Sequence, residues 1–106
     1  MSAVIQRDRA LERANEIRSR RFVERRALQA LPSTQARERL GRLIVDCPDW
    51  LAGMSVHQLV RRAPGVGEAT APRLLALIGV RDFRRAGDLT ERQRLALSAR
   101  LREMSK

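Results

Sequence analysis

Residues 3–31 contain neither glycine nor proline and are dense in Ala, Leu, Glu and Arg, which are strong helix formers. Leu11, Ala14, Ile17, Leu28 and Leu31 fall near helical spacing, while arginine occupies most of the remaining circumference. So thin an apolar stripe does not bury a full face in a core. The pattern predicts a basic N-terminal helical arm over residues 1–31, packed on a second unit over residues 32–106. Arg7, Arg18, Arg21 and Arg25 follow steps that place them on one strip of that helix. The plainer alternative is a solvated charge face partly neutralised by Glu16 and Glu24.

Beyond the arm, the pattern shortens into small helices separated by breakers. Pro32 ends the arm, and Ser33 or Thr34 can cap a helix over residues 34–46 with Leu40, Leu43 and Ile44 on one side. Pro48 ends it, and Pro48–Leu51 reads as a short helical turn stopping near Gly53. Trp50, the largest apolar group, is expected to plug the core between arm and domain. Ser55 with Gln58 has the pattern of a capping box, and Met54 with Leu59 that of a hydrophobic staple, opening a helix over about 56–62. Pro64-Gly65-Val66-Gly67 interrupts it, a helix runs through residues 68–78, and Gly79 terminates that one. Thr90 with Gln93 forms a second capping-box pattern ahead of a last helix over 91–103. Sustained alternation is missing, so no strand is predicted and the fold class is all-α.

Charge narrows the picture. The 106 residues carry 22 basic and 12 acidic side chains, a formal charge of +10, and 21 of the 22 basic groups are Arg. Such a balance calls for a polyanion, nucleic acid before a membrane surface. Arginine binds phosphate bidentately, although a GC-rich coding bias would also favour it. No apolar run approaches the roughly 20 residues that span a bilayer, and charges begin too early for a signal-peptide core. Cys47 is the only cysteine, which excludes a disulfide framework and a zinc cluster. Three aromatics, Phe22, Trp50 and Phe83, are too few for a single-strand stacking platform. His57 stands on a capped helix and is expected to be exposed, and Cys47 is expected to be a buried thiol. Asp46, Asp49, Asp82 and Asp88 lie at chain turns where capping explains them, and no catalytic fingerprint is present. No enzyme, cofactor or metal is expected.

The sharpest feature is helix, then residues 64–67, then helix: the helix–hairpin–helix pattern, over 55–79. Two glycines permit positive φ and remove the Cβ that would keep a phosphate at a distance. The next helix aims its free N–H groups at the same place. Val66 between the glycines is expected to tuck inward and lock the two helices. The alternative is a plain corner whose glycines only permit close packing.

The segments 59–80 (LVRRAPGVGEATAPRLLALIGV), 10–21 (ALERANEIRSRR) and 83–97 (FRRAGDLTERQRLAL) carry a family resemblance. Together they resemble the actinobacterial (mycobacterial-type) integration host factor family, over roughly residues 10–103. The resemblance implies an all-α, helix–two-turns–helix-like nucleoid-associated protein that bends or compacts duplex DNA with little sequence preference and, in some members of the family, assists a phage integrase. Gly65, Val66, Gly67 and Ala71 fall on the hairpin positions, and Arg84 and Arg85 on the paired arginines that follow. The chain departs from the pattern at Glu68 and Thr70, where the family tends to be basic, at Gly87, where it has a third arginine, and at Pro72. These departures shift weight to Arg61, Arg62, Arg73, Arg84, Arg85 and, on the arm, Arg18, Arg21 and Arg25.

The sequence-based expectation is therefore a cytoplasmic, nucleoid-bound monomer that contacts double-stranded DNA through phosphates, with an integrase or recombinase as protein partner. Two rivals remain: a protein-interaction module of a recombination or repair complex, favoured by Glu68 and Thr70, and a structured-RNA binder.

Overall fold

The computed structural model describes residues 2–81 and 84–104, with side chains from residue 7 onward. Asp82, Phe83 and Lys106 lie outside the described residues. Within them the chain is all-α: α1 (Ser2–Ala30), α2 (Ser33–Asp46), α3 (Asp49–Ala52), α4 (Val56–Val60), α5 (Thr70–Leu77), a 3-10 turn (Ala86–Asp88) and α6 (Glu91–Glu103). One isolated antiparallel bridge joins Ser55 to Arg85.

The 29 residues of α1 make a rod about 44 Å long at 1.5 Å per residue. It accounts for the elongated envelope of 56 × 30 × 22 Å. The radius of gyration is 15.2 Å, against about 13 Å for a compact chain of this length. Side chains 7–16 are all exposed, and burial begins at Ile17 and is complete only at Glu24 and Leu28. The N-terminal half of the helix therefore projects, as its thin apolar stripe requires.

The core lies between α2 and α6, which make the most extensive contact in the molecule. Leu40, Ile44, Leu97 and Leu101 are fully buried there, each contributing about 1.5–3 kcal/mol of transfer free energy. The two helices approach closely at Gly41, where an added Cβ would stand 2.7 Å from Ser98 Oγ. The α4–α5 pair closes the domain with Val56, Leu59, Val60, Ala71 and Leu75.

Local signals set most boundaries. Thr90 and Gln93 form a complete capping box at the start of α6. At the end of α5, Gly79 takes a left-handed φ of 75°. The Val80 N–H donates to Leu75 O at 2.9 Å and the Gly79 N–H to Ala76 O at 3.1 Å, a Schellman motif. Cys47 ends α2 in the left-handed region, φ 45°, and Pro48 prevents continuation. It is half-buried rather than buried.

Several expectations need correction. Ser33 and Thr34 do not cap α2: Pro32 holds the N-cap position, which puts Ser33 inside the helix. Ser55 does occupy the N-cap of α4 but makes no side-chain capping bond. The Val56 N–H donates instead to Arg84 O at 2.9 Å, so the returning chain takes over the cap. Among the described residues Asp46, Asp49 and Asp88 make no side-chain capping bonds, and Asp49 stands 3.9 Å from Arg13. Trp50 is half-buried at the seam between arm and domain, while leucines fill the core. Its carbonyl accepts from Arg21 Nε at 2.8 Å, and the Arg20 guanidinium lies 6.0 Å from its ring centroid.

Glu24 departs furthest from expectation. It belongs to no solvated charge face: its side chain is 8% exposed and its two oxygens accept from Arg39 of α2 at 2.8 and 3.0 Å. The hydrogen bond and charge of Glu24 raise the Arg39 pKa above its ordinary value. This bidentate pair fastens the arm to the domain. Arg39→Ala strands the carboxylate and is expected to cost about 2–3 kcal/mol in urea unfolding. Glu24→Gln is expected to cost less, since its amide oxygen still accepts from Arg39 and no charge is left buried. Equal losses would contradict a buried, paired carboxylate.

Candidate nucleic-acid interface

The hairpin is built from a tightening helix end. After α4, Arg61 donates its N–H to His57 O, Arg62 to Leu59 O and Ala63 to Val60 O, so the last turn narrows before Pro64. Gly65 then adopts φ 87°, a conformation that penalises any side chain. Val66 is buried as expected, and its N–H donates to Ala63 O at 3.1 Å. Gly67 differs from Gly65: its φ is not positive, and a Cβ there would meet nothing within 4 Å. Only one of the two glycines is thus required by the fold. Gly67 leaves bare, exposed backbone at the tip. Helix α5 starts at Thr70 rather than at residue 68, after a turn in which the Ala71 N–H donates to Gly67 O. Pro72 falls in its first turn, where a missing N–H costs little.

The expected arginines divide into distinct groups. Arg61 is exposed but lies 3.4 Å from Glu68 across the hairpin, so the acidic departure from the family pattern is spent on an ion pair. Arg62 beside it is half-buried. Burial first, then the charges of Arg25 and Arg21, lower its pKa from the ordinary guanidinium value. Arg25, Gln58, Arg61 and Arg62 line one open depression between arm and hairpin. Arg84 and Arg85 are exposed, make no ion pair among the described residues, and are held at the opposite end of α4 by the bridge to Ser55. The Ala86 N–H donates to Met54 O, and Arg94 Nη2 of α6 to Gly87 O, which fixes this turn. Gly87 has a packing reason: a Cβ there would come within 3.1 Å of Ala52 Cβ and 3.2 Å of its carbonyl. Arg73 is exposed and lines a groove with Thr70, Leu77, Arg100 and Met104.

On the arm, Arg18 is exposed and donates to Asn15 Oδ1 at 2.9 Å. Arg21 is half-buried and committed through Nε to the Trp50 carbonyl. An added Cβ at Gly53 would lie 3.3 Å from Arg21 Nη2, so that glycine makes room for it. Arg25 faces the domain, and the strip therefore does not run free along solvent. His57 is half-buried, not exposed.

Two contributors carry no sequence signal. Arg37 of α2 donates Nη1 to Pro64 O at 2.9 Å and braces the hairpin from behind. The Arg25–Arg62 approach joins residues 37 positions apart and exists only because α1 docks where it does. Among the described residues no group of three or more His, Cys, Asp or Glu side chains is placed to hold a metal ion, and no helix is long and apolar enough to cross a membrane.

The two glycines should separate in a denaturation experiment. Gly65→Ala is expected to lose about 1–2 kcal/mol from its left-handed backbone, and Gly67→Ala to stay within about 0.5 kcal/mol of wild type. A comparable loss at both would make Gly67 a structural glycine.

Comparison with family models, curated proteins and solved structures finds no match to this chain.

Proposed function

We propose that this protein binds double-stranded DNA through its phosphates, with little sequence preference, and bends or compacts it as a nucleoid-associated protein. The observation that carries this reading is the pair of exposed arginines, Arg84 and Arg85, with no ion pair among the described residues, held by backbone pairing at one end of α4, while at its other end stands a hairpin whose Gly67 leaves bare main chain. Guanidinium groups and open N–H donors position a phosphate backbone and read no bases. The projecting arm, with Arg18 exposed and Arg25 at its root, supplies a second surface. A duplex drawn to both surfaces bends, and a bend over 20–30 bp costs on the order of 1–6 kcal/mol, which several charge-assisted phosphate contacts offset. The reading assigns no catalytic step. An integrase or recombinase acting on the bent DNA is the partner that the family resemblance supports.

The Arg61–Glu68 pair favours a second reading, in which the hairpin docks on a protein, because it removes one cation from the tip. Duplex titrations followed by fluorescence anisotropy separate the two. Arg84→Glu with Arg85→Glu is expected to weaken binding roughly tenfold or more on unrelated sequences alike. Glu68→Gln, which frees Arg61, is expected to tighten it severalfold. A loss confined to one sequence would indicate base reading, and unchanged affinity in both variants would favour the protein-docking hairpin. Tighter binding to A-form RNA than to the duplex would favour the RNA reading.

A further inference from the structure

Every half-buried arginine among the described residues has an acceptor, with one exception. Arg39 has Glu24, Arg21 has the Trp50 carbonyl, Arg37 the Pro64 carbonyl and Arg94 the Gly87 carbonyl. Arg62 and Arg25 have no hydrogen-bond acceptor or carboxylate among the described residues, although Arg62 is half-buried and faces Arg25 and Arg21 across the arm–hairpin seam. Arginine does not relieve such crowding by losing its proton. Close like charges destabilise the seam, and partial burial weakens the screening that water would supply. An anion from outside the chain would compensate them.

We infer that the depression lined by Arg25, Gln58, Arg61 and Arg62 is a two-sided phosphate site, one wall on α1 and the other on α4, whose occupation draws the arm onto the hairpin domain. Arg25 and Arg62 supply the charge, and the Gln58 amide provides a neutral donor. The phosphate is a diester of the bound duplex or the end of a small polyphosphate; both present the same oxygens. In its duplex form the inference rests on the DNA-binding reading and deepens it. Contact with the backbone then sets arm position as well as affinity.

The first arm of the test is thermal unfolding of the full chain with tripolyphosphate against sodium chloride at matched ionic strength. Tripolyphosphate at tenfold over its Kd is expected to raise the Tm by about 5 °C or more. Arg25→Gln with Arg62→Gln should abolish that rise and, without anion, be no less stable than wild type, since the change removes repulsion. Arg92→Gln with Arg102→Gln deletes the same charge from exposed positions on α6 and should keep the rise. No rise in the wild type, or equal loss in both variants, would overturn the site. The second arm measures duplex affinity. A loss of roughly tenfold in the Arg25/Arg62 variant, well beyond that of the Arg92/Arg102 variant, assigns the site to the DNA backbone. Unaltered duplex affinity with the tripolyphosphate effect intact assigns it to a small polyphosphate. If no duplex binds the wild type, the DNA reading fails and the tripolyphosphate arm decides the site by itself.

Discussion

The arrangement depends on one buried carboxylate. Glu24 points out of a helix that is otherwise almost wholly solvated, and it is buried because Arg39 of α2 donates to it bidentately. An unpaired carboxylate in that seam would cost several kcal/mol, so registers of α1 on the domain that lack this partner are disfavoured. Apolar burial does not choose the register: Leu28 is the only buried apolar side chain described in α1. With Glu24 placed, Arg21 reaches the Trp50 carbonyl one turn earlier, and Arg25, one residue later, is turned toward Arg62. A stability requirement on one residue thereby positions the charges that the functional reading uses.

The same residue type serves two opposed purposes. Arg21, Arg37, Arg39 and Arg94 are internal ties, donating to carbonyls or a carboxylate where a lysine would offer only a point charge. Arg25, Arg62, Arg84 and Arg85 have no carboxylate or side-chain hydrogen-bond acceptor among the described residues. The formal charge of +10 therefore overstates what a polyanion meets, and these four groups stand near the two ends of α4. The hairpin follows the Arg62 end of α4, and Glu68 there pairs with Arg61.

Features decided within a few residues were legible in the chain. Proline breaks, the Gly79 terminator, the Thr90–Gln93 cap and the inward turn of Val66 are local steric or hydrogen-bonding matters. Features decided by a distant partner were not. Ser55–Gln58 and Thr90–Gln93 share one sequence pattern, yet only the second forms a capping box, because the returning chain supplies the Arg84 carbonyl to the first. Glu24 looks like any arm acid until α2 is laid beside it. Gly65 and Gly67 look equivalent, and only backbone geometry separates a glycine required by φ from one that leaves open space. In the candidate site the residue types were legible, but their grouping depended on helix docking.

The central claim is that uncompensated arginines bind the phosphates of a duplex. The most direct measurement is duplex affinity across a salt series, which counts the counterions released. Engagement of Arg25, Arg62, Arg84 and Arg85 predicts a slope of about −3.6 in log affinity against log salt, roughly 0.9 for each phosphate neutralised. A slope shallower than about −1 would mean that no more than one phosphate is neutralised, and would contradict the account.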